Sequence, residues 1–564
     1  MSRPFAIFVA ALTAALAAVF LVYPIAHTVR SAFLDPQGGL TLAFLGHVLS
    51  NPIYQEGLLN AFLLASASTL LSFCLALPLA VLSDRYVFPL KGLVGSMILV
   101  PMILPPFVGA IGVKQILGVE GALNTLLVHL GAMDPSRPFD WLGHSRFWGI
   151  ATMNALHLYP ILYLNITAAL ANLDPAMEES AENLGAGWFR RFRRIVLPLT
   201  MPGIFAGGTI VFIWAFTELG VPLIFDYTRV TPVQIFDGIK DLSGNPFPYV
   251  LVVVMLVSSA LLYAASKLTL GRVSFQMNTR ATMARVQRRL GRAGSVVAVG
   301  LFAGVALVAM LPHAGVVLLS VAETWTGTVL PAKFTFAHYP EALGDPLVVP
   351  SIQNSLFYAL SATGIDVALG LAIAYVVVRT DLPGRHLLDS LSMLPLAVPG
   401  LVLAFGYLAM TREGQWLSFL RPGDNPALIL IIAYATRRLP YVVRSAAAGY
   451  QQTSVVLEEA ARNLGCPPLK AMCKVTLPLI TANLIAGGLL AFSFAMLEVS
   501  DSLVLAQRAT DYPITKAIYQ LFHQLGNGQF LACALGVWAM VFLGVAIAGA
   551  TSLLGRKLGA LFRI

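Results

Sequence analysis

"EESAENLGAGWFRRFRRIVLPLTMPGIFAGG" occupies Glu178–Gly208, and "EEAARNLGCPPLKAMCKVTLPLITANLIAGG" occupies Glu458–Gly488. Displaced by a constant 280 positions, the two agree at twelve of thirty-one residues without a gap. Each copy opens on paired glutamates, passes a glycine and a polar stretch, and enters an apolar run through Leu197-Pro198 or Leu477-Pro478. The duplication continues upstream at an offset of 294, where Asn60 matches Asn354, Arg85 matches Arg379, and Gly112 matches Gly406. Pro101 and Pro105 match Pro395 and Pro399 at the same offset. The difference, 294 minus 280, places fourteen extra residues in the first copy, in "VEGALNTLLVHLGAMDPSRPFDWLGH" before Pro160. Insertions of that size cost little in a surface loop. Downstream the 280 offset returns, pairing Glu218 of "FTELG" with Glu498 of "MLEVS".

The chain between and around these copies is apolar. Of 564 residues, 57% are hydrophobic and 11% charged, with a mean hydropathy of +0.78. Soluble domains carry about 25% charged residues. The apolar residues gather into runs near the ~20 residues that cross a bilayer as a helix. Twelve are read, at about 5–29, 57–83, 92–117, 147–172, 196–219, 246–266, 294–321, 352–378, 387–411, 426–447, 476–497 and 530–554. Short alternating strands of a membrane β-barrel are not seen. The expectation is an all-α polytopic membrane protein with about 12 transmembrane helices in two parallel six-helix repeats: a first half over 1–270, a basic linker over 271–293 and a second half over 294–564. The first run is kept as a helix because it ends in "YPIAHTVRSAF" rather than a small-residue cleavage pattern. Parallel repeats in a membrane point to a translocation path between them rather than to an enzyme site.

Lys and Arg (36) outnumber Asp and Glu (27). They cluster in "RRFRR" at 190–194, in "RATMARVQRRLGR" at 280–292 and in the tail "GRKLGALFRI" with Arg556, Lys557 and Arg563. Insertion leaves such excess on the cytoplasmic side. Both termini and both repeated loops are therefore expected there, and nucleic acid is not needed to explain the charge. Cys74, Cys466, Cys473 and Cys533 have no metal or disulfide spacing, and no metal site is read.

Within the repeat, Asp174 with Pro175, and Ser454 in the second copy, read as helix starts. Gly185 and Gly465 stand where a left-handed turn would close the helix. Glutamates in the first turns also suit the helix dipole. Yet these identities persist in a loop while the apolar runs have diverged, which suits a docking surface better than a solvated turn.

"EESAENLG…LPL" and "EEAARNLG…LPL" resemble the EAA loop of permease subunits in bacterial ABC importers. Glu179, Ala181, Gly185, Ile195, Leu197 and Pro198 fit that pattern, as do Glu459, Ala460, Ala461, Gly465, Val475, Leu477 and Pro478; Ser180 replaces the commoner Ala. The resemblance covers about 55–270 and 350–555. It implies that Glu178, Glu179, Ala181, Gly185, Glu458, Glu459, Ala461 and Gly465 belong to coupling helices seated on two copies of a cytoplasmic ATP-binding-cassette ATPase. It further implies an extracytoplasmic substrate-binding protein and a place in the bacterial inner membrane. No Gly-Lys dipeptide occurs, so the chain lacks the G-x-x-x-x-G-K-[ST] phosphate cradle. It holds no cofactor of its own; ATP-Mg is expected on the partner, and the chain is not an enzyme. Fusion of both halves most resembles the ferric-iron branch, with thiamine, phosphonate, polyamine or another small solute as alternatives.

Charged groups at membrane depth are costly, by ~2.5–3.5 kcal/mol on insertion scales, and tend to face the bundle interior. Glu218, Glu498 and Asp501 near the ends of paired runs, with His157, Arg437 and Arg438 deeper, are the pathway candidates. Capping or pairing with neighbours would also explain the acids. Asp366 is expected to pair with Arg437 or Arg438 as a structural bridge. "LSDRYVFPLKG" at 82–92 is similar to the D-R-x-G-R-R loop of major facilitator transporters, which makes an ion-driven secondary transporter the alternative class. Its second copy, "VVRTDLPGRHL", puts Asp381 after Arg379 rather than before it, and a short basic turn accounts for both.

Overall fold

A backbone surrounded by lipid must satisfy its own N–H and C=O groups, so the apolar runs fold as helices. The computed structural model describes residues 3–34, 39–143, 146–239, 246–270 and 287–554. The tail basic residues and most of the basic linker lie outside the described residues. Among those described, nine helices are long and apolar enough to span a membrane, or up to eleven if each bent helix pair counts as one. The run expected at 246–266 is a helix over Phe247–Leu270 whose apolar stretch, Phe247–Leu262, is shorter than the others.

Two runs are broken rather than continuous, and prolines break both. Pro101 and Pro395 each start a 3-10 turn, Val100–Ile103 and Leu394–Ala397. Pro105 and Pro399 then force the preceding Leu104 and Val398 into extended backbone, as the ring of a following proline does. The second break bends its run by 95°. The breaks fall inside the apolar runs read at 92–117 and 387–411.

The chain forms two compact units. One contains Pro52–Gln234 and Val257–Phe336. Its centre is a trio of packed helices, α1 (Pro52–Arg85), α2 (Phe147–Ala171) and α4 (Leu197–Phe216). The short α3 (Pro175–Asn183) lies between α2 and α4 in the chain. A Cβ on Gly207 would come within 2.8 Å of Leu162, and one on Gly203 within 2.5 Å of Ala169, so α4 approaches α2 closely only because these positions are bare. The unit is completed by α5 (Arg292–Ser320), which packs on Pro106–Leu117. There Gly112 and Gly315 touch backbone to backbone, a Cβ on either falling within 2.7 Å of the other helix.

The other unit contains Met1–Asn51, Ile235–Leu256 and Ala337–Phe562. It repeats the trio as α6 (Val348–Arg379), α7 (Pro426–Gln452) and α9 (Leu477–Met496), with α8 (Val455–Asn463) as the short loop helix. Gly487 lies against Ser445 and Gly370 against Val442, again on bare faces. Here the helix Tyr23–Ala32 covers Gly400–Met410, and a Cβ on Gly406 would meet Pro24 at 2.8 Å. The matched glycines 112 and 406 are thus both seats for a leading helix, and in each unit that helix comes from the other sequence half. The compact units differ from the expected halves, 1–270 and 294–564, in exchanging their leading helices.

Candidate functional site

The two copies of the opening motif fold alike. In α3 the Asp174 carboxylate accepts from the Ala176 N–H at 3.0 Å. At its end, Gly185 takes φ +79°; the Gly185 N–H donates to Glu182 O at 2.9 Å and the Ala186 N–H to Ala181 O at 3.0 Å. In α8 the same pair runs from Gly465, φ +84°, to Arg462 O (2.9 Å), and from Cys466 to Ala461 O (3.1 Å). This two-bond close needs a left-handed residue, which is why both copies keep glycine. Ser454 occupies the start of α8, but its side chain makes no capping bond.

Each loop helix is nailed to the trio behind it by an ion pair. Arg85 at the end of α1 donates from Nη2 to Glu178 Oε2 at 2.8 Å, with both side chains about nine-tenths buried. In the second copy Arg379 Nε lies 3.5 Å from Glu458 Oε1, which also accepts from Thr476 Oγ1 at 2.8 Å. Arg379 is anchored further by a bond to Thr453 O at 2.6 Å and packs over the Tyr450 ring. The paired glutamates therefore divide: Glu178 and Glu458 face inward, while Glu179 and Glu459 face outward and are exposed. Ala181 and Ala461 are half-buried. Beside the outward glutamates stand apolar side chains with no cover, Leu184 at 88% and Leu464 at 89% exposure, with Met177, Trp188 and Phe189 in the first copy and Val456 in the second. The matched arginines at the 294 offset carried the signal for this clamp; reading them as a basic turn passed over it.

A third feature belongs to both copies. The residues before Leu197 and Leu477, Phe192–Val196 and Met472–Thr476, form one π turn each, and the following leucine N–H donates to Phe192 O or Met472 O. The proline after each leucine has no N–H and crowds the carbonyl one turn back, which the wider turn relieves. On the first copy, Glu182 pairs with Arg191 and, at 3.2 Å, with Arg288. The hydrogen bond from Arg191 holds its carboxyl below the ordinary glutamate value of 4.5, and Arg288 adds to this.

The pathway candidates fall into separate environments. Glu218 accepts from the N–H groups of Gly220 (3.0 Å) and Val221 (3.2 Å), capping Gly220–Ile224. His157 Nδ1 lies 3.0 Å from Pro101 O at a small cavity also lined by Met153, Pro105 and His313. In the other unit, Arg437 Nη1 reaches Glu498 Oε1 at 2.6 Å and Asp501 Oδ2 at 3.0 Å, and Arg438 pairs with the other oxygen of Glu498. Arg438 also donates to Phe494 O at 3.1 Å. A Cβ on Gly400 would strike the Arg437 guanidinium at 2.5 Å, so the break after Pro399 makes room for this charge. The four groups form one buried, internally neutral cluster, the arrangement that makes ions tolerable away from water.

Asp366 does not form the expected bridge. It is 1% exposed, yet neither carboxylate oxygen has a hydrogen-bond partner, and neither arginine pairs with it. Depth along a helix matched it to Arg437 and Arg438; their guanidinium groups instead point to the segment after α9, where Glu498 and Asp501 sit.

Comparison with known proteins agrees with the duplicated architecture. The model of the family described as "Binding-protein-dependent transport system inner membrane component" matches twice, over residues 59–273 and 366–552. A Haemophilus influenzae protein named as a ferric transport system permease, FbpB 1, is 27% identical over 512 residues, covering 87% of this chain and 76% of that one. The ferric transport system permease protein FbpB of Actinobacillus pleuropneumoniae is 27% identical over 501 residues, covering 85% and 69%. The sulfate transport system permease protein CysT of Escherichia coli is 32% identical over 180 residues, 31% of this chain and 65% of that one.

Proposed function

The chain belongs to the inner membrane components of binding-protein-dependent transport systems, a permease of the ABC importer class, and from that premise we propose that α3 and α8 are its two coupling helices, that its driving ATPases are separate chains, and that its cargo is ferric iron. The observation that carries the coupling reading is the division of the glutamate pairs. Glu178 and Glu458 are committed to Arg85 and Arg379, so each short helix is held rigidly to a membrane helix. The opposite face offers Glu179 or Glu459 beside an uncovered leucine. A force applied to that face passes through the ion pair to α1 or α6, and through the Leu-Pro turn to α4 or α9. With the N-terminus inside, both helices meet the cytoplasm, and a substrate-binding protein delivers cargo from the other side.

Ferric iron rests on the relatives that match over most of the chain and are named for ferric transport. Thiamine, phosphonate and polyamine remain the alternatives.

The test replaces the two outward glutamates together, Glu179→Lys and Glu459→Lys. Both are exposed, so the purified variant should melt with the wild type. Co-purification of an ATP-binding-cassette ATPase from the native membrane should fall at least tenfold, and uptake with it. Undiminished ATPase recovery and uptake would overturn the coupling assignment. Uptake of radiolabelled iron in membranes containing the whole system, competed by unlabelled ferric salt and not by thiamine, checks the cargo.

A further inference from the structure

One cavity, of about 640 Å³, lies apart from the coupling helices, within the unit that holds Met1–Asn51 and Ala337–Phe562. Arg30 and His27 reach it from the helix Tyr23–Ala32, Arg412 and Gln415 from the segment after Gly400–Met410, and Tyr249 from Phe247–Leu270. Its size is that of a small-molecule site. Its electrostatics are one-sided. Among the described residues neither Arg30 nor Arg412 has a carboxylate partner, and both line the cavity together with His27. The one acid on the wall, Glu413, is highly exposed and lies 3.5 Å from Arg421.

The geometry is organised as well as cationic. The Arg412 Nη1 donates to the hydroxyl of Tyr249 at 2.8 Å, and Tyr249 is buried. That bond fixes one edge of the guanidinium and leaves its other N–H groups without a protein acceptor among the described residues. Tyr249 is itself held edge-on against Phe405, so the anchor does not swing. His27 Nδ1 is buried and has no hydrogen-bond partner, although the His27 ring interacts with the Gln415 side chain on the same wall. Pinned guanidinium donors, a second arginine and an unpartnered ring nitrogen around one open volume are what a planar, charged acceptor requires, since arginine forks match carboxylate and phosphate oxygens.

We propose that this cavity binds an oxyanion, a carboxylate or phosphate group gripped by Arg412 and Arg30. The site goes beyond the cargo and coupling readings and depends on neither. The anion comes either from solution or from a lipid headgroup.

The experiment uses the full chain in phosphatidylcholine nanodiscs, with radiolabelled citrate and inorganic phosphate in equilibrium dialysis. One saturable site is expected, weakening as salt rises. Arg30→Gln and Arg412→Gln should each weaken it about tenfold, with melting temperature unchanged. Tyr249→Phe keeps every charge and frees Arg412, and should weaken it about threefold; it serves where the arginine variants do not fold. A parallel sample purified from phosphatidylglycerol membranes is read by native mass spectrometry. Phosphatidylglycerol retained by the wild type and lost in Arg30→Gln/Arg412→Gln, with no binding of free anions, assigns the headgroup as the source. Binding of citrate or phosphate that the double variant leaves unchanged overturns the proposal, as does the absence of any anion from both preparations.

Discussion

Arg85 and Glu178 make a contact whose loss has a defined cost. Removing one member of a buried pair strands the other charge, at about 3 kcal/mol. Arg85→Ala should therefore lower the melting temperature and speed hydrogen exchange across Pro175–Asn183, while Arg85→Ala/Glu178→Gln should recover part of both. Equal melting of the single variant and the wild type would show the pair to be idle. Glu182 supplies a pH dependence on the same loop. Its carboxyl is held below 4.5 by Arg191, so the contribution of its contacts is present above that value and is lost as pH falls through the lowered one. Exchange protection of residues 175–191 should thus drop on acidification below pH 4.5, and Glu182→Gln should flatten that change. At this scale the sequence was readable where a residue acts on its own backbone. Gly185, Gly465 and Asp174 do what their positions predict, because turn and cap chemistry is local. It was not readable where the partner is distant: Asp366 was matched by depth, but which way Arg437 and Arg438 point depends on packing across helices.

Elements follow the same division. The apolar runs announce helices, and prolines 101, 105, 395 and 399 announce breaks, since a proline constrains its own φ and the residue before it wherever it stands. Which helix covers which is written only in bare faces, and a glycine in a run does not say what will approach it. Gly112 and Gly315 illustrate this: side by side in space, they lie 203 residues apart in the chain. Gly112→Val would drive a side chain into the backbone of α5 at Val316, where a Cβ already falls at 2.6 Å. Overpacking of this kind costs about 1–3 kcal/mol, more where backbone must yield. Gly304→Val lies on the same α5, where an added Cβ meets nothing within 4 Å, and should melt with the wild type. Thermal melts of the two variants in one detergent test the contact; equal stability would mean that α5 sits elsewhere.

The whole molecule carries a consequence that neither repeat states alone. Duplication at offsets of 294 and 280 suggests two self-sufficient halves joined by a basic segment. The compact units are assembled otherwise, each closed by the leading helix of the opposite half: α5 on Pro106–Leu117 in one, and Tyr23–Ala32 on Gly400–Met410 in the other. Hydropathy cannot disclose such an exchange, because every helix in lipid is apolar and pairing is set by close packing rather than by composition. The exchange makes the halves mutually dependent. Residues 1–280 produced alone would leave Gly112 and its neighbours uncovered, and would leave Tyr23–Ala32 without the surface of Gly400–Met410. Residues 281–564 produced alone would be incomplete in the reciprocal way. Each fragment by itself should therefore aggregate or melt well below the intact chain in detergent. The two expressed together as separate polypeptides should co-purify in equal amounts and regain most of the melting temperature, since the packed glycine contacts do not require a covalent link. A tag on one fragment, with the other quantified in the eluate, gives the measurement. Monodisperse, fully stable 1–280 without its partner would show that its first helix closes its own half, and the exchanged arrangement would then be wrong.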